Sequence, residues 1–291
     1  MTTELEAELV LDAHAILGEG PVWDAEAGVL WWVDIEGRRI HRFDPATRAD
    51  TSFETSTMVG ALALREGGGL VAALADGVWT IDPENGAAEL FVVLGEPPDV
   101  RSNESKCDPV GRLLVGTMAF DYLPIGALFS VEADGSVRRL LDSLSIANGM
   151  AWTADGGTLY YIDSPLRRVD AFDYDLATGA IAGRRPYLTF DDRVAKPDGM
   201  TIDAEGGLWI AFWDAGEIRR YGPDRGLDVV VRVSATQVTS AVFGGPDLRD
   251  LYITSAMTEL PAKALAGQPH AGGLFHVRAP VSGLLPHRFA G

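Results

Sequence analysis

The chain contains a single cysteine, Cys107, so no disulfide can form within it, and a reducing, cytoplasmic setting is expected. Histidine is almost as scarce. His14, His41, His270, His276 and His287 show no metal-ligand spacing, which disfavours a histidine zinc site or a Ser-His-Asp triad. Basic residues are outnumbered: 24 Lys and Arg against 42 Asp and Glu leave a formal net charge of −18. Such a surface repels phosphate backbones and anionic lipid, so neither nucleic acid nor membrane is expected as a partner. No apolar run approaches the roughly 20 residues that cross a bilayer. The acidic opening MTTELEAELVLDAHAIL lacks the basic start of a signal peptide. The HExxH, GxSxG, P-loop and EF-hand patterns are all missing. No convincing amphipathic helix of a dozen residues is present; the best stretch, 259–268, reads as an insertion in the last repeat.

What the chain has in quantity is glycine, 33 residues, and short apolar runs between turn signals. Four segments align on one frame: EGPVWDAEAGVLWWVD from Glu19, NESKCDPVGRLLVGTM from Asn103, NGMAWTADGGTLYYID from Asn148 and DGMTIDAEGGLWIAFW from Asp198. Asp or Thr stands five positions after each lead residue, at Asp24, Asp108, Thr153 and Asp203. Weaker copies begin at Val59 and near Thr239. The six starts lie about 40–50 residues apart, the length of a four-stranded propeller blade. The turns DPATR, DPENG, EADG and DLATG stand at matching places and divide the later strands of a blade. We therefore expect an all-β, six-bladed β-propeller that occupies 1–291 as one domain. Ring closure removes open sheet edges, so the N-terminal strand should pair with C-terminal strands.

Equivalent positions of a propeller lie on a ring around its channel, which makes the lead position informative. It holds Glu19, Val59, Asn103, Asn148, Asp198 and Thr239. Four of these carry a side-chain carbonyl or carboxylate oxygen. Two carboxylates facing each other in a channel repel and desolvate one another, and a bound cation removes that cost. Oxygen-only donors suit calcium, magnesium or manganese, and zinc also accepts carboxylate oxygen. Taken singly, Asn or Asp before Gly is an ordinary turn residue; the registration across repeats is what favours a site.

The motifs LGEGPVW, RSNESKCDPVGRLLVGTM, SIANGMAW, YYIDS, VDAFDYDLATG, KPDGMTIDAEGGLW and FGGPDL, in this order, resemble the gluconolactonase and regucalcin (senescence marker protein) family over nearly the whole chain. The resemblance implies a six-bladed propeller with one divalent metal ion in its channel, calcium foremost. It places the metal ligands on Glu19, Asn148 and Asp198, a substrate-binding pair on Arg101 and Asn103, an acidic substrate contact on Asp121, and the general acid/base on Asp198. Two departures stand out. The family commonly shows Asn-Asp-Gly-Lys where this chain has Asn103-Glu104-Ser105-Lys106, and the loop AFDYLPIG after Met118 is shorter than in regucalcin.

The resemblance implies metal-dependent hydrolysis of a sugar lactone, a small-molecule substrate, to the aldonic acid. Two alternatives remain open on the residues: a non-catalytic calcium-binding or regulatory propeller, and an aryl-ester or organophosphate hydrolase on the same scaffold. The Trp-Asp and Gly-His signature of interaction propellers is absent. Cys107, on an apolar strand, reads as core, and the tryptophans read as blade packing, with Trp213 able to reach a channel mouth.

Overall fold

A computed structural model describes residues 2–191 and 195–291. It folds into six antiparallel sheets, spanning 18–54, 59–92, 100–144, 147–189, 196–232 and 238–278, arranged as the blades of a β-propeller. Each blade runs from an inner strand at the channel to an outer strand at the rim. The inner strands are Gly18–Asp24, Val59–Leu64, Val100–Cys107, Ala147–Trp152, Lys196–Ile202 and Val238–Gly244.

The sequence pattern follows this layering. Second strands such as Val29–Asp34 and Leu208–Trp213 have a neighbouring blade on either face, so they read as continuous apolar runs and are almost wholly buried. The outer strand Ala49–Glu54, at the solvent edge, is instead largely exposed, with only Asp50 and Phe53 partly buried. Asp44 and Asp175 fold the expected hairpin turns by accepting hydrogen bonds from the backbone two residues on, at Ala46 and Ala177.

The six large core clusters each fill the gap between two adjacent blades and so close the ring. Trp209, Phe243 and Phe275 join blades five and six; Trp23, Trp32 and Tyr252 join blades six and one. Each large apolar side chain buried in this way contributes on the order of 1.5–3 kcal/mol.

The N-terminal segment closes the ring in two places. Glu8–Leu11 pairs antiparallel with Leu274–Arg278 and completes the last blade, as expected. Thr3–Glu6 pairs parallel with Leu227–Arg232 and adds a fifth strand to blade five, which was not anticipated. The 259–268 stretch does lie within blade six, but only Ala262–Ala266 is helical.

Candidate functional site

The frame's lead residues mark a shared irregularity. In all six blades the register between inner and second strand shifts around that position: Glu19/Val22, Val59/Ala61, Ser102/Ser105, Ala147/Met150, Pro197/Met200 and Val238/Ser240. A bulge leaves a residue unpaired and re-aims its side chain. Four of the six lead side chains, Glu19, Asn103, Asn148 and Asp198, line the channel cavity, while Val59 and Thr239 are buried in the core. The glycine after the lead allows the next inner strand to approach: a Cβ on Gly149 would sit 2.5 Å from Met200 Cβ.

Glu19, Arg101, Asn103, Asn148 and Asp198 all line one cavity of about 240 Å³ at one end of the channel. Its rim carries Glu36, Tyr122, Trp213 and Glu259. Two carboxylates at equivalent places steady the approach to this ring. Asp34, ending the second strand of blade one, accepts hydrogen bonds from the backbone of Ile16 and Leu17, just before Glu19. Asp163, ending the second strand of blade four, does the same for Ser145 and Ile146, just before Asn148.

A hydrogen-bond chain then crosses three blades. Arg101 donates to Asn103 Oδ1 (2.7 Å), and Asn103 Nδ2 donates to Asn148 Oδ1 (3.0 Å) and to the Ala147 carbonyl. Asn148 Nδ2 donates to Ser164 Oγ (2.8 Å), which donates to the carbonyl of Pro197 (2.6 Å), the residue before Asp198. The Asn148 amide nitrogen and oxygen are both oriented by this chain, and Oδ1 keeps one lone pair free. Asn103 has likewise spent its donors and keeps one acceptor site, whereas Arg101 retains unused N–H groups.

Arg101 is 8% exposed, so it is no solvated surface charge; burial pulls its guanidinium below the usual range, and Glu36, Tyr122 and Glu19 oppose that. Glu19 and Asp198 are both buried. Burial, then the charge of Glu104, pushes the Glu19 carboxyl up to about 8. Asp198 is pushed well above the usual carboxylate range by burial, then by Glu19 and Glu104. Among the described residues no group of three His, Cys, Asp or Glu is disposed to hold a metal ion. The oxygen set is instead two carboxylates and one oriented amide. It fits a divalent cation, because the mutual repulsion and burial that disfavour ionisation of both acids are what a cation relieves.

Asp121 stands apart. Its side chain is exposed and accepts from the Leu123 backbone, while its neighbour Tyr122 lines the cavity. Tyr122 takes up φ 63°, unusual for a bulky residue, and its hydroxyl donates to Glu259 (2.9 Å), joining the loops of blades three and six over the mouth. Cys107 is buried and burial raises its thiol far above the usual range, consistent with a core role.

Sequence reasoning did not single out Ser164, Tyr122, Glu104 or Lys106. A signal existed for Ser164, which follows Asp163, the counterpart of Asp34. For the rest, only three-dimensional proximity could find them.

Fold and site together define a six-bladed propeller with an oxygen-lined cavity in its channel. The chain belongs to the SMP-30/Gluconolactonase/LRE-like family, which it matches over residues 17–257. It is 36% identical to regucalcin of Xenopus laevis, covering 99% of this chain and all of the relative. It is also 36% identical to YvrE of Bacillus subtilis, provisionally named a sugar lactone lactonase, over 99% of both chains. Its structure is similar to that of a calcium-binding protein, regucalcin, from Agrobacterium tumefaciens, with a TM-score of 0.94, 29% identity and 99% of each chain covered.

Proposed function

We propose that the chain is a metal-dependent lactonase that hydrolyses a sugar lactone to the aldonic acid. The observation that supports this most is the convergence of Glu19, Asn148 and Asp198 with Arg101 and Asn103 in one cavity. Glu19, Asn148 and Asp198 would hold a divalent cation, calcium foremost, which when bound polarises a lactone carbonyl and offsets the negative charge that develops on its oxygen. The free N–H groups of Arg101 and the spare acceptor of Asn103 match the oxygens and hydroxyls of a sugar. Trp213 and Tyr122 offer apolar faces to a sugar ring.

A cation held there would favour the ionised form of Asp198, the form that accepts a proton. It takes a proton from water as the water oxygen adds to the carbonyl carbon. The ring C–O bond then breaks, and Asp198 returns the proton to the departing ring oxygen. Asp121 fits this reading less well than Tyr122, because it lies outside the cavity wall.

The test is hydrolysis of a panel of aldonolactones followed by pH-stat. Metal-stripped protein is compared with protein given calcium, manganese, magnesium or zinc, with Asp198→Ala alongside. Activity restored by a metal and missing in Asp198→Ala supports the reading. Rates no faster than spontaneous opening with every lactone and metal overturn it and leave a calcium-binding role, as the relative from Agrobacterium tumefaciens is described.

A further inference from the structure

Two of the bulges that carry proposed metal ligands are gripped at both ends. In blade four, strand pairing stops at Ala147 and resumes at Met150; in blade five it stops at Pro197 and resumes at Met200. Asn148 and Asp198 lie between, each followed by a glycine, Gly149 or Gly199. Glycine leaves the backbone free, so such a bulge takes its shape from what holds its ends. The leading ends are held by Asn103 Nδ2, which donates to the Ala147 carbonyl (2.8 Å), and by Ser164 Oγ, which donates to the Pro197 carbonyl (2.6 Å). The trailing ends share one partner. Lys106 Nζ donates to the Met150 carbonyl (3.0 Å) and to the Met200 carbonyl (2.7 Å).

Lys106 reaches these carbonyls from the inner strand of blade three, just past that blade's own bulge at Ser102/Ser105. One ammonium therefore joins three neighbouring blades. It lines a cavity of about 400 Å³ formed further along the same inner strands, which shares no lining residue with the cavity of Asn148 and Asp198. Burial pulls the ammonium below its ordinary range, which Glu104, buried on the same strand, and Glu19 oppose. We propose that Lys106 is a positioning residue: its ammonium clamps the trailing ends of both bulges and so holds Asn148 and Asp198 in place for a shared divalent cation. The Glu19 bulge lies outside this clamp, so Lys106 acts on two of the three ligands.

The inference rests on the cation site proposed above, and calorimetric titration of the metal-stripped full chain with calcium separates the two. Wild-type protein that binds no calcium overturns the cation site and the clamp with it. Lys106→Met keeps the apolar stem and removes the ammonium. Charge alone would then raise calcium affinity, because a positive group no longer repels the ion. Loss of the clamp should instead lower it by about tenfold or more. In Lys106→Ala, n-propylammonium, which replaces the missing stem and head, should enter by the cavity that Lys106 lines and restore most of the affinity. Tetramethylammonium, which carries the charge but no N–H, should not. A general loss of stability would not produce rescue by the donor-bearing ion alone. Lys106→Met remains informative if Lys106→Ala fails to fold. Equal or raised affinity in Lys106→Met, or affinity in Lys106→Ala that both ions or neither restores, overturns the clamp and leaves the cation site standing.

Discussion

Ser164 Oγ donates to the Pro197 carbonyl at 2.6 Å while accepting from Asn148 Nδ2 at 2.8 Å, so one hydroxyl fixes both the amide of blade four and the backbone leading into Asp198. Ser164, Asn148 and Pro197 all line the cavity that Asp198 shares. Residues that orient ligands in this way commonly carry a 10–100-fold effect on metal affinity. Ser164→Ala should therefore lower divalent-cation affinity by about that factor in a calorimetric titration, while a near-ultraviolet spectrum stays native. Unchanged affinity would show that Asn148 is oriented without Ser164.

The acids of the channel set a pH dependence for the metal-free protein. Burial and Glu104 raise the Glu19 carboxyl from its ordinary 4.5 to about 8, and Asp198 moves in the same direction through burial and Glu19. A carboxyl raised in the folded state binds more protons there than in the unfolded chain. Stability from this source is thus complete below the unfolded value and is lost as pH climbs toward about 8. Calorimetric Tm of stripped protein should fall across that interval, and saturating calcium should remove most of the fall. Because cation binding displaces these protons, affinity should also rise with pH over the same range.

Arg101 offers a separation of binding from chemistry. Arg101→Lys keeps the positive charge that steadies Glu19 but loses the planar fork and its hydrogen bond to Asn103 Oδ1. With a hydrolysed lactone as substrate, KM should rise by about tenfold or more with cation affinity unaltered. A fall in cation affinity of similar size would reassign Arg101 to holding the metal ligands rather than the sugar.

Much of this architecture is legible along the chain, and the reason is local. Blade register is written in short-range signals: buried second strands as apolar runs, Asp44 and Asp175 at turns, and Asp or Thr five positions after the lead residue in four of the repeats. The ring of oxygen-bearing leads, Glu19, Asn103, Asn148 and Asp198, follows once the repeats are aligned, whereas the choice of Glu19, Asn148 and Asp198 as metal ligands comes from the family resemblance. Contacts between blades leave no such trace. Asn103 reaches Asn148 across 45 positions, and Tyr122 reaches Glu259 across 137, so neither spacing nor periodicity betrays them. The same limit applies to Asp121: its motif position was readable, but the turn that sends Tyr122 inward and leaves Asp121 outside is a property of the folded loop.

Gly149 tests whether close strand approach, not turn freedom, requires glycine after the lead residue. Its backbone φ is not in the left-handed region, yet a Cβ there would lie 2.5 Å from Met200 Cβ and 2.8 Å from Met200 N. Gly149→Ala should destabilise the chain by about 1–3 kcal/mol in denaturant unfolding, with a parallel loss of cation affinity as blades four and five are pushed apart. Retention of both would mean that the inner strands adjust independently.

The division of the N-terminal segment between two blades bears on how the molecule comes into being. A ribosome releases Thr3–Glu6 and Glu8–Leu11 before any partner for them exists, since Leu227–Arg232 and Leu274–Arg278 are made much later. Blades one to four contain all their own strands and can assemble as they emerge. Blade five also holds four strands of its own and gains only an added edge strand, whereas blade six holds three and stays one short until the early segment, carried along unpaired, is captured. Assembly therefore finishes by recruiting what was synthesised first, and any agent that occupies that waiting segment acts on the nascent chain before it acts on the finished ring.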